Sequence, residues 1–83
     1  MTRAAITSKL RAIFTQYFHI SSEAFNWETP LETLQEDFKI LSYSVYLEQL
    51  LFEQFGAEIP IIENISTAIH TPNDVLVLII NEL

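Results

Sequence analysis

The sequence predicts an all-α protein: a small four-helix bundle with three longer helices, one short helix and a long first connection. Two segments carry apolar residues at helical spacing, and a Thr-Pro-Asn-Asp sequence precedes the C-terminal apolar run. A chain of 83 residues has room for one hydrophobic core, so we expect a single domain spanning residues 1–83.

The first segment, "TRAAITSKLRAIFTQYF", predicts a helix over about residues 3–18. One side of this helix is apolar, and Thr2 is a suitable N-cap. The residues on that side are Ile6, Leu10, Ile13, Phe14 and Tyr17. Residues 19–36 lose the helical period but contain large apolar side chains, namely Phe25, Trp27, Leu31 and Leu34. We therefore expect a long loop whose side chains attach it to the core.

The second helix is expected from about Ser42 to Phe55. Gly56 suits the left-handed position that ends a helix, and Pro60 prevents the helix from resuming. The expected buried side consists of Val45 or Tyr46 together with Leu47, Leu50, Leu51 and Phe55.

The last third of the chain predicts a short helix and a long one. Residues 61–69 favour one or two helical turns. The run "VLVLIINEL" alone fits either a buried strand or a buried helix. Thr71 as N-cap, Pro72 as the first helical residue and Asp74 two residues later favour the helix.

Composition and charge argue against several classes of function. The chain has no cysteine, and neither His19 nor His70 lies in a metal-binding or hydrolase motif, so we expect no metal site and no catalytic triad. The net charge is −7, with all eleven acidic residues from Glu23 onward, which disfavours nucleic acids and anionic membranes as partners. No apolar run approaches the length of a membrane span, and no leader pattern is present, so we expect a cytoplasmic monomer.

Three stretches resemble the acyl carrier protein family of small, acidic helical bundles. "TPLETL" at 29–34 is similar to the end of the family's long loop. "LEQLLFEQFGAEIP" at 47–60 is similar to its second helix and the turn that follows, and "TPNDVLVLI" at 71–79 is similar to its final helix. The resemblance implies a bundle of the acyl-carrier type. It also implies a protein that is not an enzyme but carries acyl, aminoacyl or polyketide intermediates on 4'-phosphopantetheine, as in fatty acid and polyketide biosynthesis.

The family attaches this group to the serine of an Asp-Ser-Leu motif, which is absent here as written. Counting back from the Phe55-Gly56 turn, the family's spacing reaches Leu41. Counting forward from "TPL", it reaches Phe38, with Asp37 in the place of the acid. The string "ILSYS" indicates Ser42 as the attachment site, with Leu41 in place of the acid. Ser44 is the other hydroxyl between these anchors, and an unmodified Ser42 that merely caps a helix is the alternative.

The resemblance also implies docking residues. Glu48 and Glu53 match acidic positions of the second helix that contact basic surfaces of biosynthetic enzymes and of a phosphopantetheinyl transferase; an ordinary solvated helix face is the alternative. Tyr43 and Tyr46 are interpreted as core residues, with the mouth of an acyl-holding interior as the alternative, and Trp27 as a lid on the bundle, with a binding anchor as the alternative. Two other functions remain open: a divergent carrier-like domain without the prosthetic group that acts as a protein-interaction module, and an unrelated helical adaptor.

Overall fold

The computed structural model describes residues 2–83, and every regular element in that range is helical, which confirms the predicted all-α class. The Cα radius of gyration is 11.5 Å, close to the value of about 12 Å expected for a compact chain of this length. The elements are α1 (Arg3–Tyr17), α2 (Leu31–Leu34), a 3₁₀ helix (Glu36–Lys39), α3 (Leu41–Phe55), α4 (Ile61–Asn64) and α5 (Pro72–Glu82). The three long helices agree with the prediction. The short helix α2 lies within the expected loop of residues 19–36, and the 3₁₀ helix begins at the end of that loop.

Helix α1 begins as predicted, because the Thr2 hydroxyl accepts a hydrogen bond from the Ala5 amide at 3.2 Å. The predicted buried side is confirmed except at its last position, where Tyr17 is exposed. The chain leaves the helix at Phe18, whose ring turns into the core and lies 4.9 Å from the ring of Phe38. Phe18 therefore fills the part of the core that was assigned to Tyr17.

The long connection is attached to the core, as expected. Leu31 is buried, and Phe25 and Trp27 pack against the core with their rings 4.9 Å apart. Two backbone hydrogen bonds tie the connection to the start of α5: the Leu31 amide donates to His70 O at 2.8 Å, and the Asn73 amide donates to Trp27 O at 3.0 Å.

Helix α3 ends as predicted. Gly56 adopts the left-handed conformation with φ 69°, and its amide donates to Phe52 O at 2.9 Å. The predicted burial of Leu47, Leu50 and Leu51 is confirmed, and Phe55 is partly buried.

The first turns of α3 differ from the prediction, because neither Val45 nor Tyr46 belongs to the buried side. Ser44 lies there instead, at helical spacing from Leu47 and Leu51. With Ser44 on the buried side of α3, the helical period places Val45 and Tyr46 on the exposed side.

Helix α5 confirms the helical interpretation of the C-terminal run. The Thr71 hydroxyl accepts from the Asp74 amide, and the Asp74 carboxylate accepts from the Thr71 amide, with Pro72 in the first turn. Helix α3 contacts α4 and the 3₁₀ helix, α1 contacts α5, and the three long helices contribute side chains to one core. No helix within residues 2–83 is long and apolar enough to cross a bilayer.

Candidate functional site

Ser42 lies at the start of α3 and is exposed to solvent. It is the second helical residue rather than the N-cap, because Ile40 occupies the capping position with extended backbone angles, φ −94° and ψ 129°. No side chain caps this end of the helix. The alternative in which Ser42 only caps the helix is therefore wrong, and Ser42 lies in the first turn of a 15-residue helix, where the Tyr43 amide donates to Ile40 O at 3.0 Å.

Ser44 lies on the opposite side of α3. Two residues along a helix correspond to a rotation of about 200°, so the two serines cannot share a face. Ser44 is only 1% exposed and lies on the side of Leu47 and Leu51. A bulky group on the Ser44 hydroxyl would have to displace the core, so Ser42 is the accessible hydroxyl of the pair.

The acid expected before a modified serine is not next to Ser42. Leu41 occupies that position and is exposed, while Asp37 lies on the preceding 3₁₀ helix. Partial burial raises the pKa of the Tyr43 phenol, and the negative charge of Asp37 raises it further. The register that counts forward from "TPL" ends on Phe38, which is buried and has no hydroxyl.

The two glutamates predicted to dock partners have different surroundings. Glu53 is exposed on the outer side of α3. Glu48 is partly buried, and its Oε1 accepts a hydrogen bond from the Ile62 amide at 3.2 Å. Glu48 therefore stabilises the first turn of α4, a contact that no sequence pattern indicated.

Exposed apolar side chains lie next to Ser42 and farther along the outer side of α3, and the sequence analysis assigned two of them, Val45 and Tyr46, to the core. A helical wheel phased on Ser44, Leu47 and Leu51 would have found them. They belong to the last residue before α3 and to its outer side: Ile40, Leu41, Val45, Tyr46 and Phe52.

Tyr43 packs as a core residue, with its ring 5.7 Å from the rings of Phe18 and Phe38. Tyr46 is more exposed, although its ring still meets that of Phe18 edge-on at 5.4 Å. Trp27 is partly buried against Phe25, as expected of a lid on the bundle.

A cavity of about 260 Å³ lies between α2 and the turn that follows α4. Its wall is mainly apolar, and none of its residues belongs to α3. The volume is slightly smaller than that of a typical ligand pocket, which begins at roughly 300 Å³. The lining residues are Pro30, Leu31, Glu32, Phe38, Ile65, Ile69 and His70.

Neither histidine is close to Ser42 in the sequence. His19 follows α1 with a left-handed φ of 59°. His70 Nδ1 lies 4.0 Å from the carboxylate of Asp74. Within residues 2–83, no three His, Cys, Asp or Glu side chains gather to hold a metal ion.

Comparison with known proteins identifies no relative. No protein-family model, no curated protein and no solved structure matches the chain. The resemblance to acyl carrier proteins consequently rests on the three stretches quoted above and on the order in which they occur.

Proposed function

We propose that this protein is an acyl-carrier-like domain in which Ser42 bears 4'-phosphopantetheine. It would carry an acyl, aminoacyl or polyketide intermediate and present it to separate enzymes. The observation that carries the proposal is the exposed Ser42 hydroxyl at the start of α3, with no side chain capping that end of the helix.

The helix terminus suits a phosphodiester on Ser42. The first amides of a helix have no acceptor within it, and the helix dipole places partial positive charge at that end. An anionic group there gains about 0.3–1 kcal/mol. When bound, phosphopantetheine supplies a terminal thiol that holds the cargo as a thioester. The chain itself supplies the exposed attachment point and the surface around it.

The net charge of −7 supports docking on basic surfaces of biosynthetic enzymes and of a phosphopantetheinyl transferase. Glu53 is the docking residue of this proposal that remains free on the outer side of α3. Glu48 also lies on α3, but its carboxylate accepts a hydrogen bond from the first turn of α4.

A second candidate function is a carrier-like interaction module that bears no prosthetic group. Leu41 favours it, because an apolar residue stands where the family's acid precedes the modified serine. The exposed apolar residues beside Ser42 favour it as well, since they provide a protein-binding surface without any modification.

Intact-mass spectrometry separates the two functions. The protein is co-expressed with a phosphopantetheinyl transferase of broad specificity, and a mass increase of one phosphopantetheine is expected. Ser42→Ala should abolish the increase. Ser44→Ala, the matched control, should retain it. An unmodified wild-type protein under these conditions would contradict the carrier function and favour the interaction module.

A further inference from the structure

We propose that the cavity beside α2, called here the α2 cavity, binds a small molecule that has an apolar ring and an ammonium group. The α2 cavity has a volume of about 260 Å³ and lies between α2 and the turn that follows α4. None of its lining residues belongs to α3, so the site does not depend on a group attached to Ser42.

The wall of the α2 cavity is mainly apolar. Leu31, Phe38 and Ile69 are at most 7% exposed and form its inner part, while Pro30 and Ile65 lie nearer to solvent. Hydrocarbon placed against these side chains is removed from water, and this transfer is the main source of affinity for a small apolar group. The wall therefore favours a ligand with an apolar body.

The volume limits the size of that body. An engineered protein cavity of about 150 Å³, lined by leucine, isoleucine and phenylalanine, binds benzene. The α2 cavity has about 260 Å³, so a benzene ring fits and leaves room for a short arm. Pockets for larger ligands begin at roughly 300 Å³, so we expect a ligand of about nine non-hydrogen atoms.

Hydrogen bonds hold the two sides of the α2 cavity together. The Leu31 amide donates to His70 O at 2.8 Å, and the His70 amide donates to the Asp74 carboxylate at 2.9 Å. The Ile69 amide donates to Asn64 O at 2.9 Å, which closes the turn after α4. A wall that is fixed in this way does not have to be ordered when the ligand binds, and this preserves affinity for a small molecule.

The charged groups at the α2 cavity select a cation. Glu32 is exposed and lines the cavity, and within residues 2–83 no lysine or arginine lines it. His70 lines it as well, and its Nδ1 lies 4.0 Å from the Asp74 carboxylate, which adds negative charge behind the imidazole. An ammonium group at the edge of the cavity is attracted by these carboxylates, whereas a carboxylate on the ligand is repelled by them.

Phenethylamine tests the site, because two carbons join its benzene ring to its ammonium group. It is titrated into ¹⁵N-labelled protein whose measured mass shows no prosthetic group, and the amide shifts are followed by NMR. We expect saturable shifts at Leu31, Ile69 and His70, with a dissociation constant of about 1 mM or below. The neutral ligand of the same shape, 2-phenylethanol, should bind about threefold more weakly, because it forms no ion pair with Glu32. Phenylacetate, an anion, should bind more weakly than either.

Variants separate the ion pair from the apolar wall. Glu32→Gln should weaken phenethylamine binding about threefold, as expected for an exposed ion pair, and leave 2-phenylethanol binding unchanged. Glu28→Gln is the matched control, because Glu28 is an exposed glutamate of the same connection that does not line the cavity. Ile65→Trp should abolish binding of both ligands by filling the cavity. Circular dichroism establishes that each variant is folded, and the comparison of Glu32→Gln with Glu28→Gln does not depend on Ile65→Trp.

Three outcomes would overturn the proposal. Shifts that do not saturate, or that spread over the whole chain, would show that phenethylamine has no defined site. Equal affinity for phenethylamine and phenylacetate would remove the preference for a cation. Equal weakening by Glu32→Gln and Glu28→Gln would show that the ligand responds only to the net charge of −7. Because the protein is unmodified, failure of this experiment is distinct from failure of the carrier function.

Discussion

The Glu48 carboxylate accepts a hydrogen bond from the Ile62 amide at 3.2 Å, and this contact joins the middle of α3 to the first turn of α4. Helix α4 has only four residues, its N-cap is Pro60, and no capping side chain comes from its own segment. A helix this short depends on tertiary contacts because nucleating a helix is unfavourable. Glu48 thus has a structural role in addition to its place on the acidic side of α3.

Replacing Glu48 by alanine should destabilise the fold more than replacing Glu53. Glu48→Ala removes a charge-assisted hydrogen bond to a helix terminus, for which we expect a loss of about 1 kcal/mol in the free energy of unfolding. Glu53→Ala should change it by less than about 0.5 kcal/mol, as is usual for an exposed residue. Urea unfolding of both variants measures the difference. Equal effects would show that the Glu48–Ile62 contact contributes nothing to stability.

The same substitution at Ser42 and at Ser44 should change the free energy of unfolding by different amounts. Ser44→Gln places extra atoms and an amide in a packed position, so we expect a loss of at least about 2 kcal/mol. Ser42→Gln changes an exposed residue and should stay within about 0.5 kcal/mol of wild type. Thermal unfolding followed by circular dichroism is sufficient to compare them. If the proteins melt together, Ser44 is not buried and the preference for Ser42 as the attachment site loses its basis.

The fold was predictable where local signals agree with each other. The start of α5 is set by the capping hydrogen bonds between Thr71 and Asp74, with Pro72 in the first turn, all within four residues. The end of α3 is set by the left-handed φ of Gly56. Such signals act within one turn of the chain. No contact from elsewhere in the fold is needed to recognise them.

The candidate site was predictable only in part. Ser42 was expected at the start of the helix and is there, and the predicted burial of the leucines of α3 is confirmed, but Val45 or Tyr46 was expected beside them and both are exposed. Apolar spacing alone cannot tell the buried side of a helix from its exposed side when both carry large apolar side chains. The Glu48–Ile62 contact joins residues of different helices, so it depends on tertiary packing that the sequence pattern does not contain.

Lys9 should stabilise the end of α3. Its Nζ donates to Gln54 O at 2.8 Å and lies 5.5 Å from the centre of the Phe55 ring. A cation at this helix terminus meets the negative end of the dipole and a free carbonyl. Lys9→Met keeps the apolar stem but removes the charge, so we expect a loss of about 1 kcal/mol by urea unfolding.

Arg3→Met is the control for Lys9→Met. Arg3 is an exposed basic residue in the first turn of α1, the helix that also contains Lys9. A positive charge at that end is unfavourable with the helix dipole. We expect its removal to leave the free energy of unfolding unchanged or slightly higher. A loss as large as that of Lys9→Met would mean that the charge of α1 as a whole, rather than the contact with Gln54, stabilises the fold.

Asp74, whose carboxylate caps α5, should make the free energy of unfolding depend on pH. Burial raises the pKa of the Asp74 carboxyl, but the hydrogen bonds that its carboxylate accepts from the His70 and Thr71 amides outweigh this effect, so the pKa is lowered overall. The folded state then binds fewer protons than the unfolded state at low pH. The ionised Asp74 carboxylate therefore stabilises the folded state. This stabilisation is complete above the pKa of the carboxyl in the unfolded chain, about 4, and disappears as the pH falls through its lower pKa in the folded protein.

Asp74→Asn removes this titration while keeping an oxygen that can accept the capping hydrogen bonds. We expect the wild type to be more stable than Asp74→Asn near pH 6 and the difference to shrink below about pH 4. Urea unfolding of both proteins over this range measures it. A difference that stays constant with pH would show that Asp74 acts through packing or hydrogen-bond geometry rather than through its charge.

The two residues with positive φ should respond in opposite directions to substitution. Gly56 has φ 69°, and nothing lies within 4 Å of where a Cβ would stand. Gly56→Ala therefore meets no steric contact with neighbours, and its cost is the left-handed backbone alone, about 1 kcal/mol. His19 adopts φ 59° directly after the C-cap of α1 and already bears that cost.

His19→Gly should consequently stabilise the protein by about 0.5 kcal/mol, because the relief of strain exceeds the entropy that glycine adds to the unfolded chain. For a domain of this size, a change of 1 kcal/mol moves the melting temperature by roughly 4–8 °C. Calorimetry should place Gly56→Ala below the wild type and His19→Gly slightly above it. His19→Ala is the control: it removes the imidazole but keeps the Cβ, so it should not be stabilising. If it raised the melting temperature as much as glycine does, the effect would come from losing the ring and not from the backbone.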